Sequence, residues 1–248
     1  DLDVNPAHAD YTGTVEIELS VKTDVQSIFL HSLKHEVNEV KLWQSGAEGR
    51  AAQHRRLEPD WLAISLDGGI KRGPAVLTIS FSGTMAIPLF GMYRTQYEGD
   101  WYMFTQFEAL GARQAFPCFD EPQFKTPFEV TIRAPEGLGV YANAPLLDSA
   151  SGAGKTAHRF KATPAIPTYL FALTVGPLDV THDAAHDVER ADGSRLRIRI
   201  LSPRGRGADA RLALRETKRL LDLEERYFGT PYPYAKLDLV AVPDFAAG

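Results

Sequence analysis

The sequence predicts a mainly β protein built from several antiparallel sheets, with one helix and one further strand towards its end. Two observations carry that reading. Apolar residues recur with a period of two from residue 11 to about 200, and turn-forming clusters punctuate the pattern with no long helical repeat between them. A third marks where the β pattern stops: the breaker cluster Ser202-Pro203-Arg204-Gly205-Arg206-Gly207 is followed by apolar residues at three- and four-residue spacing.

Taken in order, Val15, Ile17, Leu19 and Val21 alternate with Thr14, Glu16, Glu18 and Ser20. Leu77, Ile79 and Phe81 do so with Val76, Thr78 and Ser80, and Phe128, Val130 and Ile132 with Glu129, Thr131 and Arg133. Each reads as a half-buried strand. Turns are expected at Asp67-Gly68-Gly69, Glu98-Gly99-Asp100, Pro135-Glu136-Gly137 and Asp192-Gly193. Ala213, Thr217, Leu220, Leu221 and Phe228 then outline a helix of about twenty residues, capped by Gly229 with Pro231 beyond it. A last strand runs through Leu237, Leu239 and Val240 to Val242. The expected division is an all-β domain over residues 1–200 and the start of a second domain over residues 201–248.

At 248 residues and 44% apolar, the chain can bury a full core. A net charge of -5 argues against a nucleic-acid backbone as the main partner. Arg195, Arg197 and Arg199 alternate with Leu196, Ile198 and Ile200, the pattern of a strand with one wet face. Cys118 is the only cysteine, so no intrachain disulfide forms and the redox compartment stays open. The longest apolar run, residues 169–175, falls far short of the roughly 20 residues of a membrane-spanning helix.

The densest chemistry lies between Thr105 and Pro122. Gln106 and Glu108 are two apart, so on an extended segment they share a face, with Thr105 and Phe107 pointing the other way. An amide beside a carboxylate can hold an α-ammonium group by charge-assisted hydrogen bonds. A solvated strand face without a ligand accounts for the same two residues. Arg113, Asp120 and Glu121 read as architecture, because Pro122 restricts the residue before it and the acids can pair with Arg113 or Lys125. Cys118 has no activating base beside it in sequence and reads as a small buried apolar residue.

Three other motifs dissolve on inspection. Ser151-Gly152-Ala153-Gly154-Lys155-Thr156 resembles the end of a phosphate-binding loop, but Ser149 occupies the first glycine position and Pro164 and Pro167 exclude the helix that must follow. A hairpin turn explains it. His35-Glu36-Val37-Asn38-Glu39 lacks the second histidine of a zinc-binding helix and sits in an extended apolar pattern. His182 and His186, beside Asp183 and Asp187, lie in a polar connector without a recognisable third ligand.

The run Thr105-Gln106-Phe107-Glu108, followed by Ala112-Arg113, Phe116-Pro117-Cys118-Phe119-Asp120-Glu121-Pro122 and Phe124-Lys125, resembles the aminopeptidase N family of zinc metallopeptidases. The likeness extends to Phe29-Leu30-His31-Ser32, Gly91-Met92-Tyr93-Arg94, Thr168-Tyr169-Leu170-Phe171-Ala172, Glu225-Arg226-Tyr227-Phe228-Gly229 and Val242-Pro243-Asp244-Phe245. It implies a saddle-like N-terminal β domain packed on a thermolysin-like α/β catalytic domain, whose first helix and strand would be residues 201–248. It also implies peptide substrates with a free N-terminus, with Glu108 as the anchor for the substrate amine and Gln106 beside it. Gly248 would open a further substrate-binding segment of the family, and the zinc-binding motif would lie beyond it. The expectation is therefore zinc in the parent enzyme and none on this chain, which alone should hydrolyse nothing. A scaffold of the same fold that has lost its zinc site is the alternative.

Overall fold

The structure, a computed structural model, describes residues 1–44, 49–87, 89–190 and 192–245; Gly248 lies outside them. It is mainly β, as the alternating pattern predicts. Its largest sheet has eight strands in the spatial order Leu146–Gly152, Lys155–Phe160, Thr131–Pro135, Leu2–Asp3, Asp10–Val21, Gly73–Thr84, Glu36–Gln44 and Arg50–Ala51. All neighbours in it are antiparallel except Leu2–Asp3 with Thr131–Pro135.

A three-stranded sheet, Val25–His31, Trp61–Ile70 and Gln53–Leu57, covers one part of the large sheet. Leu30, Leu62 and Ile64 from the small sheet meet Leu42, Leu77 and Ile79 from the large one in a continuous apolar layer. A four-stranded sheet in the order Gly139–Ala142, Leu173–Gly176, Asp100–Gln106 and Gly91–Tyr97 shares a second core with Leu2, Tyr11, Phe81 and Ile132. Each strand delivers every second side chain to a core, as period-two patterning requires.

The opposite face of the four-stranded sheet presents Tyr93, Tyr102 and Phe104, which pack against Leu178, Val240 and Val242. These last belong to a third unit, in which Arg195–Pro203 pairs antiparallel with Leu178–Thr181 and Val188–Glu189 and parallel with Lys236–Val240. The 18-residue helix Arg211–Phe228 crosses between the two parallel strands, a β-α-β arrangement. Position 200 thus falls inside a strand. The breaker cluster around Gly205, at φ 81°, turns the chain from that strand into the helix.

Several local expectations need correction. Asp67-Gly68-Gly69 does not reverse the chain; it is a bulge within Trp61–Ile70, where the pairing jumps from Ser27↔Ser65 to Val25↔Ile70. Gly68 and Gly69, at φ 84° and 77°, absorb the extra residues. The strand expected from Phe128 begins at Thr131, because the Phe128 N–H is taken by the Thr163 hydroxyl instead of a neighbouring strand. In the helix, Leu214, Thr217 and Leu221 face the sheet, whereas Leu220 and Phe228 are exposed. The helix carries two apolar stripes, and spacing alone did not separate them. Gly229 ends it in the left-handed conformation, at φ 66°, as its position suggested. Arg199 is not part of a wet face, since it turns into a bidentate pair with Asp238 at 2.7 Å for each bond.

Glu98-Gly99 forms the two-residue hairpin between Tyr97 and Asp100. Ala153-Gly154, both with positive φ, closes a hairpin that disposes of the phosphate-loop reading. Among the described residues no helix is long and apolar enough to cross a membrane.

Candidate functional site

Gln106 is the last residue of Asp100–Gln106 and pairs with Gly91 on the neighbouring strand. The next residue, Phe107, is buried against Phe116 and Phe171, with ring centroids 6.0 and 6.2 Å away. The chain then leaves the sheet. Glu108 and Leu110 sit exposed on a turn, and the Gly111 N–H returns to the Phe107 carbonyl at 2.7 Å. A side chain at Gly111 would place its Cβ 2.8 Å from the Phe107 Cα, so only glycine allows this close return.

The premise that Gln106 and Glu108 share one face of an extended segment therefore fails. The strand ends at Gln106, where its pairing with Gly91–Tyr97 runs out, and Glu108 is presented from the turn over residues 108–110. The two side chains still lie two residues apart at the same sheet end. Among the described residues nothing donates a hydrogen bond to the Glu108 carboxylate or pairs with it. An exposed carboxylate with no internal partner, beside a half-buried amide, can accept hydrogen bonds from a cationic donor.

The loop is followed by the short 3-10 turn Ala112–Gln114, and here the architectural reading of Arg113 and Asp120 acquires its geometry. Asp120 is fully buried. One carboxylate oxygen accepts from Arg113 Nε at 3.0 Å and from the Arg113 backbone N–H at 3.2 Å; the other accepts from the Thr168 hydroxyl at 2.6 Å. Arg113 also pairs with Asp60 and donates to the Asp120 carbonyl at 3.1 Å. Burial works against the Arg113 charge, but the hydrogen bonds it donates to Asp120 and Asp60 outweigh it and raise its pKa. The Asp120 N–H donates to His31 Nδ1 at 3.3 Å, and the His31 ring lies against Trp61 with centroids 4.0 Å apart. Glu121 stays outside this knot and accepts from Gln123.

A second buried cluster supports the same turn. The Tyr11 hydroxyl donates to the Ala115 carbonyl at 2.9 Å. With that proton committed, His35 Nε2–H donates to Tyr11 at 3.2 Å and Nδ1 accepts from the Ser32 hydroxyl at 3.0 Å. Burial drives the His35 pKa down to about 4, so the ring is neutral at pH 7. His35 opens onto the strand Glu36–Gln44 and not onto a helix, which removes the zinc-helix reading.

Cys118 is buried, bridges backbone to backbone with His31, and has its thiol pKa pushed well up by burial. It is the small apolar residue expected. His182 pairs with Asp187 at 3.0 Å in the connector. Among the described residues no group of three or more His, Cys, Asp or Glu is placed to hold a metal ion. The donor sets among the described residues do not fit a catalytic zinc ion.

Sequence reasoning missed His31, Asp60 and Thr168 as members of the knot. His31 and Thr168 lie inside the runs Phe29–Ser32 and Thr168–Ala172 that carry the family resemblance, which was their available signal. Asp60 has none, because its partner is 53 positions away in the chain.

Residues 1–170 match the family model described as the peptidase M1 N-terminal domain. Among curated relatives, an aminopeptidase M1 of Arabidopsis thaliana is 32% identical over 100% of this chain and 29% of its own length. An aminopeptidase M1-C of Oryza sativa is 33% identical over 96% of this chain and 27% of its own length. A leucyl aminopeptidase of Saccharolobus solfataricus is 29% identical over 100% of this chain and 29% of its own length. The chain thus spans less than a third of the length of these relatives.

Proposed function

We infer the function from one premise, that this chain belongs to the peptidase M1 family. On that premise it is the N-terminal part of a zinc-dependent aminopeptidase that removes N-terminal residues from peptides. The corner formed by Gln106 and Glu108 binds the α-ammonium group of the substrate. The division at residue 200 is part of the same reading, with residues 201–248 opening the catalytic domain and Arg195–Pro203 as the strand shared by both. Gly248 retains its expected place at the substrate only as part of this proposal. The zinc ion would supply Lewis-acid chemistry from elsewhere in the parent enzyme, and this chain would not bind it.

The observation that carries the reading is the Glu108 carboxylate, exposed on a pinned turn with no internal cation among the described residues. An α-amine has a pKa near 8, so at neutral pH it is mostly the ammonium that such a carboxylate prefers. A substrate with an acylated amine would leave the carboxylate facing a neutral amide. Once substrate and protein enclose the corner, an unpaired charge there costs on the order of 2–5 kcal/mol. The result is selection for free N-termini.

The test is Glu108→Gln in the parent enzyme. It keeps the shape of the side chain and removes its charge. The expected loss in kcat/KM for a free-amine aminoacyl nitroanilide is about tenfold or more, because one charge-assisted hydrogen bond contributes about 1.5–3 kcal/mol. Unchanged kinetics would remove the anchor assignment.

A further inference from the structure

We propose that Arg113 is a positioning residue for the amine-binding corner, holding the loop that carries Glu108 at a fixed distance from the sheets on either side. The inference rests on the reading of Glu108 as the amine anchor. Glu108 lies on a short loop with a clamp at each end. The first is apolar: Phe107, buried among Phe116 and Phe171. The second is ionic: Arg113, two residues beyond the Gly111 N–H that closes the loop onto Phe107.

The ionic clamp is tied to segments far apart in the chain. The Arg113 guanidinium reaches Asp60, at the turn before Trp61–Ile70, and Asp120; its carbonyl accepts from the Leu33 N–H at 2.8 Å. Through the Asp120 carboxylate it is linked to Thr168, which begins a short turn just ahead of Leu173–Gly176. The three-stranded sheet and the four-stranded sheet are thus both connected to the base of the Glu108 loop. Among the described residues none of these partners hydrogen-bonds to residues 108–110, so Arg113 would act on the substrate through where it puts Glu108.

Arginine is required for this geometry and a cation alone is not enough. The guanidinium presents several N–H donors in a fixed plane, and two acids on different segments use them together. A lysine offers one compact ammonium on a flexible stem. Arg113→Lys would keep the buried charge balanced while letting the base of the loop drift, which would loosen the charge-assisted contact between Glu108 and the substrate amine and so weaken binding.

The experiment uses the parent enzyme with Arg113→Lys and, as a milder second variant, Asp60→Asn. Each is measured alone and combined with Glu108→Gln, with an aminoacyl nitroanilide as substrate. An amino acid amide and its N-acetyl counterpart serve as competitive inhibitors. Positioning predicts that each variant raises KM for the free-amine substrate about five- to tenfold, with kcat changed less than twofold. It also predicts weaker inhibition by the free-amine compound alone, and no further loss when Glu108 is already glutamine. Equal loss against both inhibitors, or the same loss in the Glu108→Gln background, overturns the proposal in favour of a general fold role. Unchanged inhibition in Arg113→Lys and Asp60→Asn, with Glu108→Gln defective, overturns it while leaving the anchor reading intact. If Glu108→Gln itself has no effect, the anchor reading fails first. If Arg113→Lys does not fold, Asp60→Asn decides by the same readouts.

Discussion

Replacing Asp120 with asparagine changes one atom and almost no volume, yet the structure makes it one of the costlier single substitutions available in this chain. The carboxylate is fully buried and serves three donors: Arg113 Nε, the Arg113 backbone N–H and the Thr168 hydroxyl. An amide keeps only one acceptor oxygen. If that oxygen serves Thr168, the amide NH2 is forced against two Arg113 donors; if it serves Arg113, the Thr168 hydroxyl loses its acceptor. Removing one partner of a buried ion pair costs about 3–5 kcal/mol, because the other charge is stranded. Arg113 retains Asp60, which keeps part of the compensation, so the lower end, about 3 kcal/mol, is expected. For a chain of this size each kcal/mol moves the melting temperature by about 2–4 °C, giving a fall of about 6–12 °C. Thermal unfolding of the 248-residue chain followed by circular dichroism measures it. A shift under about 2 °C, well below what loss of one buried charge should give, would refute the account of the knot as a charge-balanced clamp.

Two further outcomes follow from burial. His35 has a folded pKa of about 4 against 6.5 in the unfolded chain, so between those values the unfolded state takes up the proton. Its stabilising contribution is complete above pH 6.5 and declines as pH falls towards 4, by about 3 kcal/mol in all; urea midpoints at pH 7 and pH 5 should show a steeper acid loss for the native chain than for His35→Gln. Equal slopes would show that His35 does not carry this linkage. The Cys118 thiol, buried and with its pKa pushed up, should resist a disulfide reagent in the native chain and react promptly in denaturant. Fast native labelling would contradict its place in the core.

What the sequence made legible follows from how local each cause is. Alternation along Asp10–Val21 and Gly73–Thr84 is set by which side chain of each pair faces the core, so it could be read directly. The hairpin at Glu98-Gly99 and the helix end at Gly229 were equally visible, since each depends on a residue that tolerates positive φ. The two-glycine bulge at Gly68-Gly69 carries the same local signal as a turn. Only the partner strand, with its pairing jump between Val25 and Ser27, distinguishes them. The helix stripes failed for a related reason, because Leu220 and Leu214 satisfy the same periodicity and only the position of the sheet chooses Leu214 for the core.

The candidate site shows the same limit and sharpens what it means for function. The types of Gln106 and Glu108 identified the chemistry, but the shared-face argument assumed that the strand continues, and strand pairing decided otherwise. Phe107 is buried among Phe116 and Phe171 in the same core as Met103, as alternation along the strand requires, so its burial would not by itself end the strand. The ladder stops because pairing with Gly91–Tyr97 ends at Gly91↔Gln106. Glu108 therefore sits on the turn beyond the sheet, and something other than strand geometry has to hold it. The Gly111 return and the Arg113–Asp120 knot occupy that place, built from His31, Asp60 and Thr168 across the chain. A recognition group on a loop is only as well placed as the groups that clamp the loop, and so the residues most worth substituting next are those of the clamp.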